Sequence, residues 1–285
     1  MIENQNFDVF ALPIIRADDK TYLEELQCGE LFMRNAIYYQ ADEEKDPRND
    51  AYDSAMPVGD LFGVKTVPKI GSVNNERFID FGWYIKCFYQ FKPSDIHRKH
   101  DGSYCLRMSS ESKKWFSELK KEYVIMLHTR EFIRRFYAYC DLSDLRHAAG
   151  AVHYLDDVQY KEYKRAYICA MLNAFADKDY NQKIILPTLC KRERFSAQQE
   201  VRVCVHYSDI NDYLLRKHGS IANLSYQEVE MIRNKTITEK IGSLADISKI
   251  YTMEEILSLE IPVYPIQTTG QDAVCIDKNK HQHMT

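Results

Sequence analysis

Residues 195–205 read FSAQQEVRVCV, and this stretch shows the clearest strand pattern in the chain. Its three valines alternate with other side chains, which is the period of an extended strand that buries one face. Gln198 and Glu200 stand two positions apart at the entry to this strand. If the extended geometry reaches back to Gln198, both side chains project from the same face. A rigid strand end would then present an amide beside a carboxylate.

Patterns on both sides of this strand mix strands and helices without a regular strand–helix–strand order, which is typical of an α+β fold. We predict a single domain over residues 1–268, built on a mixed, split β-sheet with flanking helices, and a polar tail over residues 269–285. Helical spacing of apolar residues predicts helices at 18–30, 112–122, 129–139, 157–177 and 253–258. Runs of aromatic and β-branched residues predict strands at 31–39, 59–70, 77–91, 104–108, 124–128, 151–155, 236–241 and 247–251.

Local signals add three details to this outline. Gly29 is the expected stop of the first helix, and Thr129 is the expected N-cap of the third. Residues 40–53 are polar and acidic, so we predict a loop that lies over the surface or over a cleft.

The composition is that of an ordinary globular protein, with 285 residues, a formal net charge of −4 and 45% hydrophobic residues. The near-neutral charge argues against nucleic-acid binding through bulk positive charge but leaves a local basic groove open. The 20 tyrosines and 13 phenylalanines suit half-wet clefts. The cysteines form no CxxC pair, the N-terminus is polar, and no apolar run is long enough to span a membrane. We therefore expect a cytoplasmic protein with no membrane segment and no disulfide framework.

A Gln-x-Glu at the start of a strand resembles the catalytic motif of ADP-ribosyltransferases. Five segments are together similar to bacterial and phage-related toxin or defence proteins, including DUF2971-type proteins and DarT-like and CmdT-like nucleic-acid ADP-ribosyltransferases. These segments are YLEELQCGELFMRNAIYY, RNDAYDS, WYIKCFYQF, KRERFSAQQEVRV and IGSLADISKIY. The resemblance implies that NAD is the substrate and that Glu200 is the catalytic carboxylate, which bonds a ribose hydroxyl as nicotinamide leaves. It also implies that Gln198 orients the acceptor. A carboxylate fixed in a dry site stabilises the developing positive charge more than it stabilises the ground state.

The resemblance also points to residues that would bind NAD. The first strand of the family carries an Arg or His that binds NAD, and Arg34 within LFMRNAIYY is the best match. Its guanidinium could fork onto a phosphate or hold the nicotinamide ribose. The neighbouring Asn35 belongs to the opposite strand face, so we expect only one of the two to line the cleft. Arg48 is a second candidate phosphate contact, and Tyr89 could stack on nicotinamide.

Each candidate has a plain structural alternative. Glu200 and Arg202 could form an ordinary surface ion pair. Arg34 could be the partner of a structural carboxylate, and Arg48 could be a solvated loop charge. Tyr89 could be a packing residue of the sheet.

Basic residues flank the proposed carboxylate and recur in two earlier runs. A basic rim beside the site would suit a nucleic-acid acceptor through phosphate contacts, with RNA ahead of DNA on the strength of the resemblance. In the alternative, these charges pair with glutamates on solvated helix faces. The residues are Lys113, Lys114, Lys120, Lys121, Arg130, Arg134, Arg135, Lys191, Arg192, Arg194 and Arg202.

Two motifs of the family have no clear copy here. They are the NAD-binding loop of the NARTDD kind and a Ser-Thr-Ser, for which Ser109-Ser110 is the nearest match. These departures favour a second hypothesis, a non-catalytic defence or regulatory module that binds a protein partner on the same scaffold. A third hypothesis is a metal-independent nuclease that uses His and Arg side chains.

The first hypothesis remains an NAD-dependent ADP-ribosyltransferase, with an antitoxin protein as an implied partner. We expect no metal, because the His97 and His100 spacing supplies half of a zinc site and no second pair follows. The hypothesis requires Glu200 to face a pocket sized for a dinucleotide, with Arg34 on the same side of the molecule. It also predicts that Glu200→Gln stops transfer without loss of folding.

Overall fold

The computed structural model describes residues 12–39, 56–57, 77–78, 82–156, 158–159, 162, 187–207, 209 and 226–264. Several predicted features lie outside these residues. They are the loop at 40–53 with Arg48, the strand at 59–70, most of the helix at 157–177, and the tail at 269–285.

The described parts of the chain alternate between short strands and helices. The helices are α1 Lys20–Gln27, α2 Ser110–Glu118, α3 Thr129–Leu142, α4 Tyr226–Arg233 and α5 Met253–Ser258. The strands are β1 Ile14–Asp18, β2 Glu30–Asn35, β3 Met56–Pro57, β4 Arg77–Phe78, β5 Trp83–Gln90, β6 Ile96–Arg98, β7 Tyr104–Leu106, β8 Tyr123–Leu127, β9 Arg146–Ala151, β10 His153–Leu155, β11 Cys190–Arg192, β12 Glu200–His206, β13 Thr236–Lys240, β14 Ser248–Thr252 and β15 Ile261–Val263.

One large sheet organises these elements. Its strands follow the order β13-β2-β5-β1-β8-β14, with β12 on the other edge of β5 and β9 beyond β12. The predicted α+β class is confirmed. The prediction of a mixed sheet is wrong for this large sheet, because every pair of its described strands is antiparallel. The pair β10–β11, which forms a separate small sheet, is parallel. Antiparallel neighbours do not need the crossover helices that parallel strands require.

The central strand β5 has different neighbours along its two edges. β12 pairs along the whole of one edge. On the other edge β2 pairs with residues 84–85 and β1 pairs with residues 89–90. Residues 86–88 have no strand partner on that edge within the described chain, so β1 and β2 diverge there. The side chain of Arg16 bridges part of this gap, since its Nη1 donates to the Cys87 carbonyl at 2.8 Å.

Helices cover both faces of the sheet. The valines of β12 pack in one core with Phe132 and Phe136 of α3, and this core also receives α1 and α4. Phe116 of α2 and Ile256 of α5 belong to the core on the other face. The alternation predicted for β12 is confirmed, but its second face is buried too, because β12 lies between β5 and β9.

Two helix starts differ from the sequence prediction. His128, not Thr129, caps α3, because its Nδ1 accepts from the Glu131 backbone N–H at 3.3 Å. Ser109 caps α2 by accepting from the Ser112 backbone N–H at 3.1 Å. The Ser109-Ser110 pair therefore starts a helix in this structure.

Gly29 ends the first helix as predicted, with φ of +95°. A Cβ at this position would lie 2.1 Å from the Gly242 carbonyl oxygen, which belongs to the backbone and cannot rotate away. We expect Gly29→Ala to lower the free energy of unfolding by about 2–3 kcal/mol, as measured by chemical denaturation. Gly102→Ala is the matched control, since its φ is +86° but its nearest neighbour is a flexible arginine 4.0 Å away. Equal losses in the two variants would contradict the steric explanation.

Candidate functional site

Two buried cations hold the carboxylate of Glu200 at the start of β12. Lys191 Nζ donates to Oε1 at 3.0 Å, and Arg202 donates to Oε2 from Nε at 2.8 Å and from Nη2 at 2.6 Å. The side chains of Lys191 and Arg202 are 1% and 0% exposed, and that of Glu200 is 8% exposed. Burial alone would raise the pKa of Glu200, but the charges of Arg202 and Lys191 outweigh burial and hold that pKa well below its usual range. The carboxylate is therefore ionised at neutral pH.

Gln198 also contacts Lys191, but the local backbone structure that places it there is not the predicted strand. The strand does not extend back to Gln198, because residues Glu193–Gln198 form a 3₁₀ turn and Gln199 has a left-handed backbone with φ of 41°. The turn nevertheless brings the amide to Lys191, whose Nζ donates to Gln198 Oε1 at 2.5 Å. The amide and the carboxylate thus share one ammonium group.

A small cavity, which we call the carboxylate cavity, opens beside this network. Its volume is about 50 Å³, and Gln198, Glu200, Arg16, Tyr39 and Tyr89 contribute to its lining. That volume holds about one or two water molecules. The expectation that Glu200 faces a cavity is met, but the cavity in this structure is far smaller than a dinucleotide.

Tyr89 lines the carboxylate cavity with little freedom to move. Its ring packs edge-on against Phe91 and Phe116, with centroid distances of 5.3 and 5.2 Å. Its hydroxyl accepts from Gln199 Nε2 at 3.0 Å. The surroundings of Tyr89 in this structure therefore agree with the alternative in which it is a packing residue of the sheet.

A second cavity, which we call the cationic cavity, lies in the gap between β1 and β2. Its volume is about 220 Å³, and it shares Arg16 and Tyr39 with the carboxylate cavity, so the two adjoin. Aromatic rings form part of its wall. Among the described residues, its charged lining consists of Arg16, Arg34, Lys86, Lys121, Asp18 and Asp19.

The four cations of this cavity differ in their partners. Arg16 pairs with Asp18 at 2.8 Å, and Lys121 pairs with Asp18 at 3.5 Å and with Asp19 at 2.9 Å. Arg34 stacks on the Tyr38 ring, 4.2 Å from its centroid, and has no carboxylate within ion-pair distance in the described chain. The alternative in which Arg34 pairs with a structural carboxylate is therefore not supported by the described residues.

Arg34 and Glu200 lie on the same face of the sheet. Arg34 pairs with Ile85 and Glu200 pairs with Tyr89, two positions of equal parity on β5. They are about 13 Å apart along the strand and lie on its opposite edges. Glu200 therefore lines one of the two adjoining cavities, and Arg34 lines the other.

Asn35 does not join this group. It is fully buried, its Oδ1 accepts from the Ile37 backbone N–H at 3.2 Å, and it lines neither cavity. The opposite-face prediction from strand parity holds, so the structure gives no support to Asn35 as a contact to NAD. Arg48, the other candidate phosphate contact, lies outside the described residues.

The predicted basic rim needs correction at the residues nearest Glu200. Lys191 and Arg202 are buried counter-ions and cannot reach nucleic-acid phosphates from the surface. Arg134 and Arg135 pair with Glu131 at 2.6 and 2.8 Å, which agrees with the alternative of paired helix-surface charges. Glu200 and Arg202 do form an ion pair, but the pair is buried and does not lie on the surface as the structural alternative assumed.

Comparisons with known proteins add no assignment to this geometry. No protein-family model, curated protein or solved structure matches the chain. None of the helices in the described ranges combines the length and apolar character that a membrane crossing requires. The same ranges contain no group of three or more His, Cys, Asp or Glu side chains arranged to hold a metal ion.

Proposed function

We propose that the chain is an NAD-dependent ADP-ribosyltransferase with nucleic acid as the acceptor, RNA ahead of DNA. The observation that carries the proposal is the placement of Glu200 and Arg34 on one face of the sheet, where each lines one of two adjoining cavities. The divergence of β1 and β2 beside the central strand supports a split sheet of the ADP-ribosyltransferase kind. The choice of RNA and the implied antitoxin come from the sequence resemblance.

The reaction would transfer ADP-ribose to a nucleophilic oxygen or nitrogen of the acceptor. The bond between ribose and nicotinamide breaks, and its electron pair leaves with neutral nicotinamide. A new bond forms between the anomeric carbon and the acceptor, which releases its proton. Glu200 would bond a ribose hydroxyl and stabilise the positive charge on the sugar, while Gln198 orients the acceptor.

The ion network leaves room for this role. For Glu200 to turn to the sugar, one cation has to release a carboxylate oxygen. Lys191 can do so, because its ammonium keeps Gln198 as an acceptor and lies 4.9 Å from the centroid of the Phe195 ring. Arg202 would remain on the other oxygen and hold the carboxylate in place.

We expect Arg34→Met to raise the KM for NAD and to lower kcat/KM by about 10–100-fold, because a charge-assisted contact to the substrate is lost. The measurement is nicotinamide release from NAD by the full chain in the presence of RNA. Arg98→Met is the matched control, since this exposed arginine of β6 lines neither cavity. An unchanged KM in Arg34→Met would remove Arg34 from the proposed site.

A second candidate function is a non-catalytic module that binds a protein partner. It is favoured by the occupation of both Glu200 oxygens by cations and by the carboxylate cavity volume of about 50 Å³. In that case the network only stabilises the fold. Nicotinamide release separates the candidates, because the module would release none.

A further inference from the structure

We propose that the cationic cavity binds the diphosphate group of a nucleotide, with Lys86 as its buried central contact and Arg34 as the second. The inference rests on the proposed function only in taking NAD as the natural nucleotide. Its ligand chemistry follows from the charges, burial and size of the cavity.

Lys86 is the unusual member of the cavity. Its side chain lies in the gap between β1 and β2, and the residue is only 4% exposed. Within the described chain its Nζ makes no hydrogen bond or ion pair, and it lies over the Phe32 ring, 5.9 Å from the centroid. Buried charges are normally paired, so an unpaired ammonium aimed into a cavity indicates that a ligand supplies the partner.

The charge of the cavity matches a diphosphate. Among the described lining residues, and with Lys86 protonated, four cations face two carboxylates, Asp18 and Asp19, which leaves an excess of two positive charges. These carboxylates bond Arg16 and Lys121, so Lys86 and Arg34 are the described cations that remain for a ligand. The diphosphate of NAD carries two negative charges, one for each of these cations.

The size of the cavity favours part of a nucleotide over a whole one. A volume of about 220 Å³ is below the range of about 300–1,000 Å³ that encloses a complete ligand. Arg16 and Tyr39 line both this cavity and the carboxylate cavity, so the two are adjacent. A dinucleotide with its diphosphate at Lys86 would therefore extend toward Glu200, where the bond to nicotinamide has to break. A polymer phosphate on the surface would not reach the buried ammonium.

Ligand binding at this site should be coupled to a proton. Burial, followed by the nearby charge of Arg16, lowers the pKa of Lys86 well below its ordinary value, with Arg34 acting in the same direction and Asp18 opposing them. The other charged groups of the cavity are Asp19 and Lys121. An anion at Nζ favours the protonated form, so binding takes up a proton wherever free Lys86 is partly neutral.

Lys86 should also lower the stability of the folded protein, so the Tm of a variant gives a second readout. A lysine whose folded pKa is lowered binds fewer protons in the folded state than in the unfolded state. It therefore opposes folding most strongly below the folded pKa, and the penalty fades as pH rises toward the ordinary lysine pKa. We expect Lys86→Met to raise Tm at pH 7 and to weaken ADP binding by at least about 10-fold.

The experiment is calorimetric titration of the full chain with ADP, in two buffers of different ionisation enthalpy. Wild type should bind ADP with proton uptake. Lys86→Met should lose both the ADP affinity and the proton uptake, and its Tm should rise. Lys240→Met is the matched control, because this lysine of the neighbouring β13 is 80% exposed and should change nothing.

Three outcomes would overturn the proposal. They are no ADP binding by wild type, unchanged ADP affinity in Lys86→Met, and Lys86-dependent binding of a short RNA in place of ADP. Failure of the proposed function looks different. Lys86-dependent ADP binding without nicotinamide release would leave the diphosphate site standing, whereas NAD turnover with an unchanged KM in Lys86→Met would remove only this site.

Discussion

Glu200→Gln is expected to lower the free energy of unfolding by about 3–5 kcal/mol at neutral pH, because it removes a carboxylate that bonds two buried cations. Glutamine keeps the shape of the side chain but cannot neutralise Lys191 and Arg202. The amide nitrogen of the glutamine also places its N–H donors against the N–H donors of Lys191 or Arg202. Chemical denaturation of the variant and the wild type measures this loss.

The loss should depend on pH in a defined direction. Because the folded pKa of Glu200 is lowered, its stabilising contribution is complete above the ordinary value of 4.5 and is lost as the pH falls through the folded pKa. The difference between variant and wild type should therefore narrow in strong acid.

Glu239→Gln provides the matched control for this prediction. Glu239 is also buried, but it accepts from the hydroxyls of Tyr139 and Tyr207, which carry no charge and can rotate. We expect this control to lose about 1 kcal/mol. A loss in Glu200→Gln no larger than in the control would contradict the buried-cation account. The buried network thus replaces the sequence-based expectation that Glu200→Gln leaves folding intact.

The second large effect is expected from a variant that removes the whole ion network. Lys191→Met, Glu200→Met and Arg202→Met together remove the carboxylate along with both cations that bond it, and replacing a buried ion network by apolar side chains of similar size is often neutral for stability. We expect this triple variant to fold and to release nicotinamide from NAD about 10³-fold more slowly than wild type. Circular dichroism establishes folding, and the rate of nicotinamide release is the measurement.

Lys191→Met alone is the comparison for the triple variant. It keeps the Arg202–Glu200 pair and frees one carboxylate oxygen, so we expect it to retain turnover. A folded triple variant that turns over at the wild-type rate would show that another residue performs the chemistry.

Local signals in the sequence were sufficient for several elements. The valine alternation predicted β12, and the helix at 253–258 was predicted at both ends. Thr252 and Glu255 cap that helix reciprocally, a pattern that depends only on residues three apart. Such features can be predicted because their causes lie within a few residues of one another.

The missed features depend on distant parts of the chain. β1 was not predicted, because its sequence IIRAD is short and has two charged residues among five. It is a strand through its pairing with β8 and β5. The link between Gln198 and Lys191 arises from a 3₁₀ turn and a left-handed Gln199, and no glycine marks that turn. Lys86 did give a signal, since it is the one charge within WYIKCFYQF. Its role could be inferred only from the structure, which shows that Lys86 lines the cavity in the gap between β1 and β2.

The most direct test of the account is nicotinamide release when the full chain is incubated with NAD and RNA. The account predicts release that is accompanied by ADP-ribose on the RNA, is lost in the triple variant, and requires more NAD in Arg34→Met. An absence of release by wild-type protein that binds ADP would contradict the enzymatic assignment.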